Sequence, residues 1–401
     1  MEPTRQAKPD LKQLADLAMA SHGLEAQFPE NALKQLAGLT GPAKESDPTV
    51  KDLKNLLWCS IDNDDSRDLD QLSVAEKLPD GSTKVYVSVA DVDALVKLGT
   101  PLDLHARKNT TSVYTGVKTY PMLPEQLSTD WTSLNADSDR ISLVMEMTLS
   151  SSGELTSSQV YRAWVRNQAK LTYNGVGAWL EGKGPLPPAA AKVPGLDGNL
   201  RLQDEAAQKL KALRHQHGAL ELETLQPRPV TEGNEVVNLS LEMKNRAGEL
   251  IEDFMIAANG VTARFLTQNG FPTLRRVVKI PERWDRIVEL AEEQGDKLPA
   301  EPDSKALNEF LKRSKEKDPL RFPDLSLMVV KLMGRGEYQV EAPGQTPVGH
   351  FGLAAVELGL QQKPGEADYR VHRRADLMAH HREKFALGLV GGFGLFHGGA
   401  Q

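Results

Sequence analysis

Cysteine is almost absent from this sequence, which has one, Cys59, among 401 residues. A single cysteine excludes an internal disulfide and is typical of a protein from a reducing compartment. Cys59 stands in an apolar run, where we expect a small core residue and not a nucleophile. No apolar stretch approaches the length needed to cross a bilayer, and residues 1–10 lack the apolar core of a signal peptide. We therefore expect a cytoplasmic protein with no membrane partner.

An excess of positive charge is also absent, because 48 lysines and arginines stand against 55 acidic residues and give a net charge of −7. This balance excludes a protein that binds nucleic acid over its whole surface. Basic residues do cluster locally, at 162–170, 275–279 and 370–384. Each cluster could be a solvated helix face, but three clusters lining one groove would steer a polyanion along it.

The most distinctive feature that is present is an acidic segment, residues 61–71, with five aspartates around one arginine. It follows the apolar run 56–61, which predicts a short buried strand, and turn-rich chain leaving such a strand can aim several carboxylates at one point. Crowded carboxylates repel each other unless a cation lies among them, and Mg²⁺ is bound by a few carboxylate oxygens together with water and substrate phosphate. Asp62, Asp68 and Asp70 are the candidate ligands. The pattern indicates phosphate chemistry at a divalent metal.

Two other interpretations apply to the acidic segment. Aspartate is common in turns, so the segment could be a solvated surface loop. An EF-hand calcium loop requires glycine at its sixth position and an acid at its twelfth. Counted from Asp62, these positions hold Arg67 and Ser73, so the calcium loop is excluded and the surface loop stays open.

The order of the predicted elements indicates an α+β fold, with a mixed β-sheet in the first half and helices in the second. The expected domains are a small helical or winged-helix module with its linker at 1–50, a main domain at 51–387 and a glycine-rich tail at 388–401. We expect the strand ending at Ile61 to pair with Val85–Val89 across a turn at Pro79–Ser82, and 141–149 to pair with 153–165. The predicted helices are 173–181, 202–215, 248–267, 287–293 and 304–315.

Several short motifs follow one another along the chain. They are Ser60–Asp62 through Asp68–Asp70, Val87–Val92, Thr111–Tyr114, Tyr120–Ser128, Ser133–Asn135, Arg140, Ala169–Tyr173, Leu250–Asn259 and Gly349–Ala354. On these residues the chain resembles the RNase II/RNase R family, the RNB exoribonucleases, from about Leu53 to Phe385. One such match would be weak evidence, whereas this many in one order are not a coincidence. The resemblance implies that 51–387 is an RNB catalytic domain, a mixed β-sheet packed by helices.

The resemblance also implies an activity. It implies a 3′-to-5′ exoribonuclease that hydrolyses single-stranded RNA to nucleoside 5′-monophosphates, with Mg²⁺, or Mn²⁺ as an alternative ion, at the scissile phosphate. We expect a monomer with no dinucleotide cofactor. The family's four acidic ligands fall on Asp62, Asp68, Asp70 and Gln71, with Asp70 also catalytic. The fourth ligand is therefore an amide in this chain. The second metal site should bind its ion more weakly than in relatives that carry aspartate there.

Further residues match the family's RNA contacts. Tyr114 matches an aromatic residue that stacks on the last base, although a buried core tyrosine is the alternative. Stacking is sequence-tolerant and is worth about 1–3 kcal/mol per base. Leu222 stands where relatives have a second stacking aromatic residue, so the grip on RNA should be weaker. Tyr173 and Glu252 match residues that line the RNA channel.

The C-terminal part departs most from the family pattern. After Gly349–Ala354 relatives have an arginine that stabilises phosphate charge in the transition state, and we take Arg373 and Arg374 as its counterparts because Ala-Asp-Leu follows. The glycine-rich tail is too short for the family's S1 barrel. Two rival functions remain open: an RNA-binding protein with weak or no catalysis, and a metal-dependent phosphohydrolase acting on small molecules.

Overall fold

The computed structural model describes residues 10–223, 225–232, 235–242, 244–278, 280–281, 283–334, 336–341 and 356–359. The helices are α1 (Leu11–Ser21), α2 (Glu30–Ala37), α3 (Pro101–Asn109), α4 (Tyr173–Leu180), α5 (Pro188–Ala191), α6 (Leu196–Gln216), α7 (Arg246–Gln268), α8 (Trp284–Glu293), α9 (Ser304–Lys317) and α10 (Phe322–Met333). The strands are β1 (Lys51–Asp52), β2 (Cys59–Asp62), β3 (Gln71–Lys77), β4 (Thr83–Ala90), β5 (Val113–Tyr114), β6 (Thr119–Tyr120), β7 (Asp139–Leu149), β8 (Leu155–Arg166), β9 (Ala169–Thr172), β10 (Gln226–Glu232), β11 (Glu235–Glu242), β12 (Thr273–Val277), β13 (Glu337–Glu341) and β14 (Val356–Gly359).

The main sheet is mixed. Its strand order is β1-β8-β7-β4-β3-β2-β9. The inner neighbours are antiparallel, whereas the outer strands β1 and β9 run parallel to β8 and β2. The β3–β4 hairpin turns at Gly81, whose φ of +83° is a conformation that glycine adopts without steric cost. This arrangement is the mixed sheet of an α+β fold, as predicted.

One face of the sheet is covered by α6 and α7. Alternate residues of β4, from Val85 to Val89, point into this layer, as the two-residue period of a strand requires. Asn245 caps the N-terminus of helix α7, because its Oδ1 accepts the Gly248 N–H at 2.9 Å. The helix buries Leu250 and Phe254 against the strands. Full burial of one such side chain contributes about 1.5–3 kcal/mol. The layer therefore fixes the strand ends that carry the acidic segment.

Three smaller apolar clusters complete the core of the described residues. Trp58, Leu72 and Tyr86 belong to the cluster on the opposite face of the sheet. Helices α8, α9 and α10 pack on one another. Helix α2 packs on α3 and on the segment that follows β6. No helix of the described ranges is long and apolar enough to cross a membrane.

Most predicted elements are confirmed, with one error in strand pairing. The hairpin predicted for 141–165 is formed by β7 and β8, and the five predicted helices correspond to α4, α6, α7, α8 and α9. The partner of β4 across the Pro79–Ser82 turn is β3, not the strand that ends at Ile61. The prediction was wrong because it did not recognise Gln71–Lys77 as a separate strand. This buried strand directly follows the acidic segment.

Residues 10–50 contain α1 and α2 and no strand. The domain boundaries stay a prediction.

Candidate active site

The acidic segment connects two adjacent strands of the main sheet. Strand β2 ends at Asp62 and β3 begins at Gln71. Cys59 pairs with Ser73 in an antiparallel register, and the Gln71 Nε2 donates to the Ile61 carbonyl oxygen. Because antiparallel neighbours run in opposite directions, the end of β2 and the start of β3 lie at the same end of the sheet, and the segment leaves and re-enters the sheet there.

The candidate ligands differ in their surroundings. Asp62 is only 6% exposed, and its Oδ1 accepts the Asn63 N–H at 2.8 Å and the Ser66 hydroxyl at 2.9 Å. Asp68 is half-buried, and its Oδ2 accepts the Tyr114 hydroxyl at 2.9 Å. Asp70 is also half-buried. The carboxylates of Asp62 and Asp68 thus face hydrogen-bond donors. No three His, Cys, Asp or Glu side chains within the described ranges are arranged to hold a metal ion.

Gln71 carries the observation that favours a cation here. Its Nε2 donates to the Ile61 carbonyl oxygen at 3.2 Å, while its Oε1 is buried without a hydrogen-bond partner in the described part of the chain. An unsatisfied buried acceptor costs about 1–3 kcal/mol. Carboxylate and amide oxygens are the ligands that hard divalent cations prefer. The chemistry of the donor set of Asp62, Asp68, Asp70 and Gln71 therefore suits such a cation. Binding it would require Asp62 and Asp68 to turn away from their present donors.

The far end of the acidic segment is fixed by a second stretch of chain. Leu69 is buried, its N–H donates to the Ser133 Oγ at 2.9 Å, and its carbonyl oxygen accepts the Leu134 N–H at 2.7 Å. Arg140 holds this stretch in turn, because its Nε donates to the Ser133 carbonyl oxygen at 3.1 Å. The sequence motifs include Ser133–Asn135 and Arg140 but indicate no role for them. Their role is to fix the backbone between Asp68 and Asp70.

Residues of β9 and α4 hold the near end of the acidic segment. The Lys170 Nζ donates to the Ser66 carbonyl oxygen at 2.5 Å, and the Asn174 Nδ2 donates to the Asp64 Oδ2 at 2.5 Å. The sequence offered no sign of the contact made by Asn174, since it depends on where α4 begins relative to the segment.

The first basic cluster, 162–170, is largely neutralised. The Arg162 Nε donates to the Asp91 Oδ2 at 3.0 Å and its Nη1 to the Glu45 Oε2 at 2.6 Å. Arg166 forms an ion pair with Asp139 at 2.6 Å. These arginines stabilise carboxylates of the protein, so they do not line an open basic groove. The side chains of the cluster at 275–279 and the whole of 370–384 lie outside the described residues.

Tyr114 is the predicted RNA contact that lies beside the acidic segment. It is on β5 and is 48% exposed, so the alternative of a buried core tyrosine is wrong. Its hydroxyl donates to Asp68. The exposed ring therefore lies next to the Asp68 carboxylate.

The other predicted RNA contacts have different surroundings. Tyr173 begins α4 and is 7% exposed within the main core. Leu222 is half-buried and packs against the cluster of α8, α9 and α10. Glu252, on α7, forms an ion pair with Lys244 at 2.7 Å and stays partly exposed. Their contact with RNA stays a prediction. Arg373 and Arg374 lie outside the described residues.

Comparison with known proteins decides the family. The family model of the RNB domain matches residues 50–359. This chain belongs to the RNB domain family. It is 30% identical over 382 residues to ribonuclease R of Escherichia coli, covering 93% of this chain and 44% of that protein. It is 28% identical over 382 residues to ribonuclease R of Aquifex aeolicus, covering 93% of this chain and 51% of that protein.

Solved structures show the same fold. The RNB chain superposes on Mycoplasma genitalium RNase R, solved in complex with ribose-methylated single-stranded RNA, with a TM-score of 0.76 and 21% identity, covering 96% of this chain and 58% of that one. It superposes on yeast Ssd1, described as a pseudonuclease, with a TM-score of 0.61 and 16% identity, covering 89% of this chain and 44% of that one. The RNB chain thus spans about half the length of the curated relatives that it matches.

Proposed function

We propose that this protein is a 3′-to-5′ exoribonuclease of the RNase II type that hydrolyses single-stranded RNA to nucleoside 5′-monophosphates. The observation that carries the proposal is the exposed Tyr114 ring, hydrogen-bonded to Asp68 of the acidic segment. An aromatic surface next to carboxylates suits a terminal base whose phosphodiester lies at a metal. The names of its relatives, ribonuclease R, and the RNA bound to the Mycoplasma genitalium neighbour support the same assignment.

The residues of the acidic segment have distinct roles in this proposal. Asp62, Asp68, Asp70 and Gln71 would hold Mg²⁺, or Mn²⁺ in its place. The ion, when bound, polarises the phosphodiester and lowers the pKa of the attacking water. Gln71 contributes an uncharged oxygen. The metal position that it serves should therefore bind a cation more weakly than it would with a carboxylate at this position.

The remaining roles concern the RNA. Tyr114 would stack on the last base and fix it without reading its identity. Arg373 or Arg374 would offset the negative charge that grows on the phosphate oxygens. Tyr173, Leu222 and Glu252 would line the path of the strand. A preference for RNA over DNA would come from contacts to the 2′-hydroxyl. We propose that the protein acts as a monomer and, given its single buried cysteine, in the reducing cytoplasm.

A gel time course of 5′-labelled single-stranded RNA tests the activity. The wild type should shorten the RNA from its 3′ end in Mg²⁺ and not in EDTA. Asp70→Asn should lower the rate by about 10²–10³-fold, the usual loss when one charge contact to the transition state is removed. Asp65→Asn is the matched control, because Asp65 lies in the same segment but is exposed, and it should stay near the wild-type rate. Equal rates for Asp70→Asn and the wild type would contradict the assignment of the acidic segment.

An RNA-binding protein with weak or no catalysis is the second candidate. The amide at Gln71 and the aliphatic side chain at Leu222 favour it, as does the structural likeness to a pseudonuclease. The same gel distinguishes the exoribonuclease from the RNA-binding protein when the affinity for RNA is also measured in EDTA. RNA that is bound and never shortened by the wild type would establish this second function.

A further inference from the structure

The strand that carries Tyr114 is too short to be stable alone. Strands β5 and β6 have two residues each and form a separate two-stranded ribbon, here called the Tyr114 hairpin, residues 113–120. An isolated two-stranded hairpin is at best marginally stable in water. Something outside the hairpin must therefore hold Tyr114 beside Asp68.

The N-terminal segment, residues 10–48, provides one support. The Oδ1 of Asp16, on α1, accepts the Lys118 Nζ at 2.7 Å and the Tyr120 hydroxyl at 2.6 Å. Both donors are on the hairpin: Thr119 pairs with Tyr114, and Tyr120 pairs with Val113. One carboxylate of α1 therefore holds the strand directly opposite Tyr114.

The charges of this contact favour it at neutral pH. The hydrogen bonds from Lys118 and Tyr120 hold the pKa of Asp16 below its usual range, so Asp16 is a carboxylate. Burial and the hydrogen bond to Asp16 raise the pKa of Tyr120 to about 12, so its hydroxyl keeps the proton that it donates. Hydrogen bonds to an ionised acceptor are stronger than neutral ones.

The same N-terminal segment supports the chain that enters the hairpin. The Glu25 N–H donates to the Asn109 Oδ1 at 2.8 Å, and the Asn109 Nδ2 donates to the Glu25 carbonyl oxygen at 2.9 Å. Asn109 is the last residue of α3, which leads into β5. The Gln35 Oε1 accepts the Leu102 N–H at the other end of α3, at 2.9 Å. The N-terminal segment thus contacts the chain both before and after Tyr114.

We propose that Asp16 is a positioning residue, and that the N-terminal segment acts through it as a brace that holds the Tyr114 hairpin against the acidic segment. The inference about the hairpin stands on the contacts above, while its consequence for RNA rests on the function proposed for Tyr114. Asp16 touches no RNA in this proposal and acts only through the hairpin. The brace makes the grip on the last nucleotide depend on a part of the chain outside the region that the RNB family model matches.

Hydrogen exchange of the full-length protein, without RNA, tests the brace directly. Asp16→Ala should speed exchange of the amides at 113–120 and leave β3 and β4 at wild-type rates. Asp16→Asn keeps an acceptor oxygen without the charge and should give an intermediate rate. Glu30→Gln is the matched control, because Glu30 is an exposed carboxylate of the same segment whose ion-pair partner is Lys34 of its own helix. Exchange at 113–120 that is unchanged in Asp16→Ala would overturn the proposal.

A binding measurement then tests the consequence for RNA. A single-stranded RNA with 2-aminopurine at its 3′ end reports stacking through quenching of its fluorescence, measured in EDTA. Asp16→Ala should weaken binding by about fivefold to tenfold, part of what one base stack contributes, and should add nothing in a Tyr114→Ala background. An equal loss in both backgrounds would overturn action through Tyr114. If Tyr114→Ala itself binds RNA as the wild type does, the function proposed for Tyr114 fails, and the exchange result still decides whether Asp16 holds the hairpin.

Discussion

The acidic segment and the Tyr114 hairpin lie side by side, joined by the hydrogen bond from Tyr114 to Asp68, yet they are held by different means. The acidic segment leaves and re-enters the central sheet, and buried Leu69 fixes its far end. The hairpin depends on polar contacts from the N-terminal segment, chiefly those of Asp16. The difference suggests that the carboxylates are placed by the core, while the aromatic surface is placed by a support that can be altered separately.

The largest effect should come from removing the apolar anchor of the acidic segment. Leu69→Ala should lower the free energy of unfolding by about 2–5 kcal/mol, as for other buried leucines. It should also lower turnover per folded molecule, because the backbone between Asp68 and Asp70 loses its anchor. Chemical denaturation and turnover, measured well below the unfolding midpoint, check both effects.

Val74→Ala is the control for this prediction. Val74 is buried in the same apolar cluster but lies further along β3, away from the carboxylates. It should cost stability and leave turnover per folded molecule unchanged. Equal losses of turnover in the two variants would mean that the core does not place the carboxylates in the way proposed.

A smaller effect should separate the ring of Tyr114 from its hydroxyl. Tyr114→Ala should weaken RNA binding in EDTA by about 1–3 kcal/mol, the value of one base stack. Tyr114→Phe keeps the ring and removes the hydrogen bond to Asp68, so its RNA affinity should stay within about twofold of the wild type, because the ring and not the hydroxyl makes the proposed stack. Fluorescence anisotropy of labelled RNA measures both. A loss in Tyr114→Phe as large as in Tyr114→Ala would show that the hydroxyl, not the ring, carries the contact.

How far the sequence predicts this arrangement depends on the range of the interactions. The period-two pattern of Val85–Val89 and the apolar spacing of α7 predict elements correctly, because each pattern reports burial of a single element. The pairing of β4 was mistaken because β3 directly follows the acidic segment and was not recognised as a strand of its own. The hydrogen bonds of Ser133 to Leu69 and of Asp16 to Tyr120 join residues far apart in sequence, and no local pattern signals them. Motif order predicts which carboxylates belong to the site, but the hydrogen bonds that hold the acidic segment are visible only in the fold.

The smallest effect concerns Gln71, where the acidic segment departs from the family pattern. Gln71→Asp should strengthen binding of Mg²⁺ by about tenfold. The substitution adds one negative charge beside Asp62 and leaves the other contacts to the cation unchanged. Without the ion it should be less stable than the wild type, since the hydrogen bond to Ile61 is lost and a further carboxylate is buried among others. The test is the unfolding temperature of both proteins as Mg²⁺ is titrated. A ligand that binds only the folded state raises this temperature by an amount that grows with the logarithm of its concentration divided by Kd. The two curves should therefore cross, with the variant below the wild type in EDTA and at or above it in excess Mg²⁺. Parallel curves would mean that position 71 does not face the cation, and the site would then consist of Asp62, Asp68 and Asp70 alone.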